Sequence, residues 1–170
     1  MMNRKLTLAG IVAVTVFVWA APGWCVMRVP RATLVSVVGT VEVQRGGQGA
    51  WLTVTTAAHR SLYGGDHVRT LHRATATISI DGARIGLEPG TYVIIPPPRS
   101  EPAPRGVSRL WTAVGKVFIW IIGGRGTHFG SQAAIAAPEG TKFVLEVSAD
   151  GTTVITVLEG SVPFYNAFGR

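Results

Sequence analysis

The segment from Leu62 to Ile95 constrains the fold more than any other, because one turn within it fixes a strand pairing. Asp81-Gly82 is a dipeptide typical of two-residue hairpin loops. Closing the chain there separates an apolar side from a polar side, and a one-residue slip would mix them. The predicted apolar pairs are Ile80 with Ala83, Ile78 with Ile85 and Ala76 with Leu87. The predicted polar-side pairs are Ser79 with Arg84, Thr77 with Gly86 and Thr75 with Glu88.

Three further strand pairings follow from the same reasoning. Pro89-Gly90 predicts a turn into a third strand, residues 91–95, so this segment is expected to be a β-meander with one buried face. Two more hairpins are predicted, with loops at residues 46–49 and 150–152. The first pairs Val43 with Leu52, Val41 with Val54, Glu42 with Thr53 and Thr40 with Thr55. The second pairs Val147 with Ile155, Leu145 with Val157 and Glu146 with Thr156.

These patterns predict an all-β fold. Hydrophobic residues make up 47% of the 170 residues, and the 21 glycines and 10 prolines supply many turns. Asp-Gly hairpins in both halves indicate two related β-meanders around one core, arranged as a sandwich, a jelly roll or a short β-solenoid. The domain is expected to span residues 33–166, with halves 33–95 and 107–166. Five prolines in residues 96–106 predict an extended connector between them.

The apolar run from Gly115 to Ile122 is predicted to be a buried strand. It is too short to span a membrane, and glycines bound it on both sides. Its aromatic residues, Phe118 and Trp120, are expected in the core, with an exposed binding edge as the alternative.

Residues 1–25 are predicted to be an export signal. Arg4 and Lys5 precede an uncharged apolar run of 16 residues, and small residues at 21–23 offer a cleavage site. Export to the periplasm or the medium is therefore expected, and the alternative is an uncleaved anchor in the inner membrane. Residues 26–32 are expected to be a tether. Cys25 is the only cysteine, so no disulfide framework is expected.

The charge and the polar residues favour neither nucleic-acid binding nor catalysis. The net charge is +7, but the arginines are scattered through turns and strand ends rather than clustered. His59, His67, His72 and His128 form no compact metal motif, and Asp66, Asp81 and Asp150 are predicted to cap turns. No enzyme activity, cofactor or metal site is expected. A metal-dependent jelly-roll enzyme would require His67, His72 and a third ligand to converge.

The order of motifs resembles the FecR domain family of bacterial envelope proteins. The resemblance covers about residues 33–166. The matching segments are Gly39-x-Val41-x-Val43, Trp51, Leu62 to Thr70, Ala74 to Gly82, Ile85-x-Leu87, Gly115-x-Val117, Pro138 to Phe143 and Val157 to Val162. The family-motif residues, for which a structural role is expected, are Gly65, Asp66, Val68, Arg69, Thr70, Asp81, Gly82, Gly140, Thr141, Phe143, Glu159 and Gly160.

The resemblance implies a non-catalytic periplasmic module of all-β fold. In the best-known members, this module receives a signal from an outer-membrane receptor and passes it to a cytoplasmic sigma factor. Here only five residues precede the apolar run, so a sigma-binding domain is not expected. The expected function is protein–protein contact in envelope signalling or scaffolding, through strand addition at Gly115 to Ile122 or Ser161 to Tyr165. The alternative is a carbohydrate- or peptidoglycan-binding module that uses Trp51 or Trp111.

Overall fold

The computed structural model describes residues 29–95, 110–122, 128–138 and 140–166. The predicted export signal, residues 26–28 of the predicted tether and the proline-rich connector lie outside these residues. Within them the chain is all-β, as predicted. The strands are β1 (Ala32–Val38), β2 (Val41–Gln44), β3 (Leu52–Thr53), β4 (Ser61–Leu62), β5 (His67–Thr70), β6 (Thr75–Ile80), β7 (Ala83–Leu87), β8 (Tyr92–Ile94), β9 (Leu110–Ile121), β10 (Phe129–Gly130), β11 (Ala134–Ala136), β12 (Lys142–Val147), β13 (Thr153–Glu159) and β14 (Phe164–Asn166). A four-residue helix, α1 (Ala57–Arg60), precedes β4, and a 3-10 turn spans Arg45–Gly47.

The strands form one curled sheet whose two halves share β9. Sheet I has the order β4-β1-β6-β7-β9-β12-β13, and sheet II has the order β3-β2-β5-β8-β9-β10-β11-β14. All pairs are antiparallel except β9 with β10. One core cluster contains inward side chains of both sheets, such as Ile78 and Ile119 from sheet I and Val43 and Val93 from sheet II. The arrangement is therefore sandwich-like.

Strand β9 passes from one sheet to the other at Gly115. Its first part pairs with β8, through Trp111 and Ile94, and its second part pairs with β7, through Val117 and Leu87. Gly115 has a φ of +106°, and a Cβ built there would lie 2.5 Å from the Cα of Thr91. The bend of β9 therefore requires glycine for both its backbone angle and the close approach of another chain segment.

Two buried threonine hydroxyls stabilise this corner. The Thr91 hydroxyl donates to the Lys116 carbonyl oxygen at 3.1 Å and accepts from the Lys116 amide at 3.1 Å. The Thr70 hydroxyl donates to the Glu88 carbonyl oxygen at 2.6 Å and accepts from the Thr91 amide at 3.0 Å. These bonds satisfy backbone groups that lie outside the strand pairings, so the corner is closed without unpaired amides at these positions.

The hairpin at Asp81-Gly82 is confirmed in its register. The five pairs from Ile80–Ala83 to Ala76–Leu87 are as predicted, and both turn residues have positive φ angles, 43° and 79°. The predicted pair of Thr75 with Glu88 does not form, because β7 ends at Leu87 and the Glu88 amide donates to the Lys116 carbonyl oxygen. The hairpin of β2 and β3 has the predicted register, with Val43 opposite Leu52 and Glu42 opposite Thr53. The Val54 amide donates to the Val41 carbonyl oxygen at 2.9 Å, but the predicted pair of Thr40 with Thr55 does not form, because β3 ends at Thr53.

Two predicted pairings are wrong. The third strand exists as β8, but it pairs with β5 and β9 instead of continuing the meander beside β7. The threonine corner carries the chain from sheet I to sheet II after β7. In the last hairpin, the loop covers residues 148–152, and Leu145 lies opposite Ile155 rather than Val157. This shift of two residues keeps the same side chains inward, so the apolar pattern does not reveal it.

The bend at Gly115 gives a first prediction. We expect Gly115→Ala to lower the free energy of unfolding by about 3 kcal/mol, since a positive φ and an overpacked contact are combined. The control is Gly49→Ala, because Gly49 has a φ of +77° with no atom within 4 Å of the added Cβ. At Gly49 only the backbone strain of alanine at a positive φ applies, and it should lower the free energy of unfolding by about 1 kcal/mol. Urea unfolding measures both, and equal losses would contradict a steric role for the Gly115–Thr91 contact.

Candidate protein-binding surface

Gly65 and Asp66, two of the residues singled out in the sequence, lie in a turn that the Asp66 carboxylate stabilises. Asp66 is fully buried, and its carboxylate accepts from the Tyr63 amide at 2.9 Å and the Gly46 amide at 3.0 Å. The Arg45 guanidinium contacts the same carboxylate at 2.6 Å. Gly65 has a φ of +88°, as the predicted tight turn requires. Asp66 therefore links the turn before β5 to the turn after β2, and its predicted role as a cap is confirmed.

The remaining motif residues also occupy structural positions. Val68 and Phe143 lie in the core, and the Phe143 ring packs edge to face with Phe129 at 5.8 Å between centroids. A Cβ at Gly160, whose φ is +85°, would lie 2.7 Å from the Cγ2 atom of Thr141, so these two motifs meet. The other motif residues lie at turns or pair across strands: Thr70 at the corner, Asp81 and Gly82 in the hairpin, Arg69 beside Glu42, Glu159 beside Lys142, and Gly140 at φ +55°.

The aromatic residues of β9 are on the outer surface, which corrects the expectation that they are in the core. Val117, Ile119 and Ile121 point inward, whereas Phe118 is 41% exposed and Trp120 is 48% exposed. The run contains two alternating apolar sets, so it looks like a strand buried on both sides. Lys116 belongs to the same alternating set as the two aromatic residues, and this was the available sequence signal for an outer face.

These outward side chains form a surface on sheet I that we call the Trp120 face. Its exposed side chains are Phe118, Trp120 and Ile122. Phe118 lies opposite Gly86 of β7 and opposite Val144 of β12, which is on the same side of the sheet but buried. Gly86 carries no side chain, so the residue opposite Phe118 on β7 does not cover the ring. Isolated exposed apolar residues are ordinary, but a contiguous group with two aromatic rings is typical of an interaction surface.

Charged residues flank the Trp120 face. Trp120 lies between Lys142 of β12 and Arg84 of β7. The Lys142 ammonium is 5.3 Å from the Trp120 ring centroid and also pairs with Glu159 at 2.5 Å. Lys116 pairs more loosely with Glu146, at 3.4 Å. Arg84 is exposed and makes no ion pair within the described residues, so its charge can reach a partner on this face.

The described sheets end in strands of very different length. Strand β13 closes sheet I at one end with seven residues, whereas β14 closes sheet II with three. Ser161 to Tyr165 therefore includes an edge strand, as expected. Gly115 to Ile122 does not, because β9 is paired with β7 on one side and β12 on the other. This expectation was wrong because sequence alternation does not distinguish a central strand from an edge strand.

The hairpin loop at Asp150 positions the start of β13. The Thr152 amide donates to the Asp150 carboxylate at 2.9 Å, and the Thr152 hydroxyl donates to it at 3.0 Å. These hydrogen bonds, the backbone one foremost, hold the pKa of Asp150 below its ordinary value. The loop is thus stabilised by an ionised aspartate immediately before the edge strand.

A second group of aromatic residues lies on the outer face of sheet II. The Arg69 guanidinium is 4.1 Å from the Trp51 ring centroid and pairs with Glu42 at 2.7 Å. Tyr92 packs edge to face with Trp51 at 6.0 Å between centroids, and its hydroxyl is 2.6 Å from the Nδ1 atom of His67. We call this group, with Trp111, the Trp51 platform. Trp51 and Trp111 are each partly exposed, and strand register places both on this side of sheet II.

The histidines do not converge. His67 contacts Tyr92, and His59 lies 3.1 Å from the Thr53 carbonyl oxygen through its Nδ1 atom. Within residues 29–95, 110–122, 128–138 and 140–166, no group of three or more His, Cys, Asp or Glu side chains could hold a metal ion.

Eight of the 16 basic residues and seven of the nine acidic residues lie in these ranges, so most of the basic excess is elsewhere in the sequence.

Comparison with known proteins gives no match: no protein-family model, no curated protein and no solved structure is significantly similar to this chain. In the part of the chain that the structure describes, no helix is long and apolar enough to cross a membrane.

The buried Asp66 carboxylate gives a second prediction. Removing a buried charge partner leaves amides and a guanidinium without their acceptor, so Asp66→Ala should cost about 3 kcal/mol of unfolding free energy. The control is Glu146→Gln, which breaks the exposed pair with Lys116 and should cost less than about 0.5 kcal/mol. Chemical unfolding monitored by circular dichroism compares the two variants. A loss at Asp66 as small as that at Glu146 would contradict its role in joining the two turns.

Proposed function

We propose that this protein is a non-catalytic module of the bacterial cell envelope that binds another protein through the Trp120 face. The observation that carries the proposal is the position of Phe118 and Trp120, which are exposed two residues apart on an interior strand of sheet I. Both flanking strands hold β9 in place, so the two rings are presented with little conformational freedom to lose on binding.

The flanking charges indicate the chemistry of the partner. Tryptophan at the centre of an interface is among the side chains whose burial contributes most to binding. Arg84, beside Trp120, adds a cation that a carboxylate on the partner can pair with. The partner is therefore a protein segment that presents apolar side chains together with at least one aspartate or glutamate.

The FecR-like order of motifs supports this function and the location in the envelope. The motif residues serve the turns, the core and the corner, so the resemblance concerns a scaffold whose working surface lies elsewhere. The sequence pattern of residues 1–25 supports export, after which the domain would meet periplasmic or membrane partners. Sigma-factor signalling is not part of the proposal.

Site-specific photo-crosslinking tests the Trp120 face. A photo-reactive phenylalanine analogue is placed at position 118 or 120 of the full chain in expressing cells, and at position 71 as a control. Leu71 is 37% exposed but lies between β5 and β6, away from this face. We expect one discrete adduct from positions 118 and 120 and none from 71. Equal labelling from all three positions, or no adduct from the face, would rule the proposal out.

Charge reversal tests the partner's chemistry in the same assay. Arg84→Glu should lower the yield of the adduct about tenfold, because the carboxylate of the partner would meet a like charge. Arg73→Glu is the matched control, since Arg73 is an exposed arginine in the turn between β5 and β6. An adduct that is unaffected by Arg84→Glu would argue against an acidic partner.

A second candidate function, glycan binding, is favoured by the Trp51 platform. The Arg69 guanidinium, itself held by Glu42, lies 4.1 Å from the Trp51 ring and supports the indole from one side. Flat aromatic rings beside fixed polar groups are suited to stacking against sugar rings.

Trp51→Ala should then lower binding to isolated peptidoglycan at least about tenfold, whereas Trp120→Ala should leave it unchanged. Unchanged binding in Trp51→Ala, or no binding by the unaltered chain, would exclude this function.

A further inference from the structure

Within the described residues, strand β13 is an edge strand that carries apolar side chains. It pairs with β12 alone among the described residues, and its sequence from 153 to 159 is Thr-Val-Ile-Thr-Val-Leu-Glu. Val154 is 51% exposed and Leu158 is 60% exposed. Edge strands usually carry lysine or proline that prevents pairing with another chain, and β13 contains neither. A register shift opposite Lys142 and Phe143 affects the last residues of the strand.

Two antiparallel copies of β13 match when they are aligned on one central residue, because apolar residues of one copy then lie opposite apolar residues of the other. We propose that two copies of this chain pair through β13 in antiparallel orientation, with Thr156 opposite Thr156 of the second copy. This alignment places Val154 opposite Leu158 and Ile155 opposite Val157, so apolar side chains meet apolar ones on both faces of the sheet. Glu159 lies beyond the register shift and pairs with Lys142 of its own copy, so the two glutamates are outside the paired segment 154–158.

Neighbouring alignments are worse by the same criterion. A twofold axis perpendicular to the sheet requires one residue to pair with its own copy, so the competing centres are Ile155 and Val157. Centring on Ile155 places Val154 opposite Thr156. Centring on Val157 places Thr156 opposite Leu158, which would put a hydroxyl against an apolar side chain. The Thr156 centre is therefore the one that keeps apolar and polar pairs separate.

Such pairing would extend sheet I across the twofold axis. The Trp120 face lies on β9 and β12, so β12 separates β9 from the dimer contact on β13, and both copies of the face stay open. The inference goes beyond the proposed function, because a second copy occupies the edge while a different protein binds the face. The two copies would then present two Trp120 faces at a fixed separation, which favours partners that are themselves repeated.

Cysteine cross-linking tests the alignment. The purified full chain carries Cys25→Ser, and oxidation with copper phenanthroline is followed by non-reducing electrophoresis. Thr156→Cys should give a covalent dimer, since each cysteine faces its own copy. Val154→Cys alone should give at least tenfold less, and Val154→Cys combined with Leu158→Cys should restore the dimer. Absence of dimer from Thr156→Cys, or equal dimer from Thr156→Cys and Val154→Cys, would overturn the proposal.

Charge substitutions test the same contact without oxidation. Val154→Lys should convert the dimer to a monomer in size-exclusion chromatography with light scattering. Adding Leu158→Glu should restore the dimer, because the lysine then faces a glutamate of the other copy. Val35→Lys, at a residue of β1 that is 50% exposed, is the control and should remain dimeric. A monomeric unaltered chain, or a dimer insensitive to Val154→Lys, would refute the pairing. Photo-crosslinking from positions 118 and 120 is expected even if the chain is a monomer. Failure of the dimer can therefore be distinguished from failure of the proposed function.

Discussion

The contact between Gly115 and Thr91 is the constraint on which the rest of the structure depends. It lets β9 bend so closely against the turn before β8 that one strand can serve both sheets. Without that bend, the two halves of the sheet would lose their shared strand and the inward side chains would not face each other across one core. The hydroxyls of Thr70 and Thr91 complete the corner by pairing the backbone groups of Glu88 and Lys116.

The central position of β9 also determines what its outer face can do. Backbone hydrogen bonds to β7 and β12 fix the strand, so Phe118 and Trp120 are held in place although both are exposed. A binding surface of this kind differs from a free edge, which offers backbone donors and acceptors as well as side chains. Within the described residues, the exposed aromatic face and the edge strand are separated by one strand, β12. The proposal assigns a protein partner to the face and a second copy to the edge.

Local pairing could be predicted from the sequence, but the partners of strands distant along the chain could not. Asp81-Gly82 fixed the register of β6 and β7 because a two-residue turn leaves no freedom. The loop at Asp150 is longer than predicted, and a shift of two residues kept every inward side chain inward. The placement of β8 depended on the threonine corner, which has no local signature. For the candidate site, Trp120 was expected in the core because its strand carries apolar residues on both faces. Lys116, which alternates with Phe118 and Trp120, was the one sequence signal that this face is exposed.

Hydroxyl-radical footprinting with mass spectrometry tests the central claim most directly, because it reports the solvent exposure of each tryptophan in the full chain. We expect Trp120 to be oxidised faster than Trp51 and Trp111 in the purified protein and to be specifically protected in the intact envelope. Protection of Trp120 alone would place the partner on the face that β9 presents. Slow oxidation of Trp120 in the purified protein, or no change in the envelope, would contradict the account.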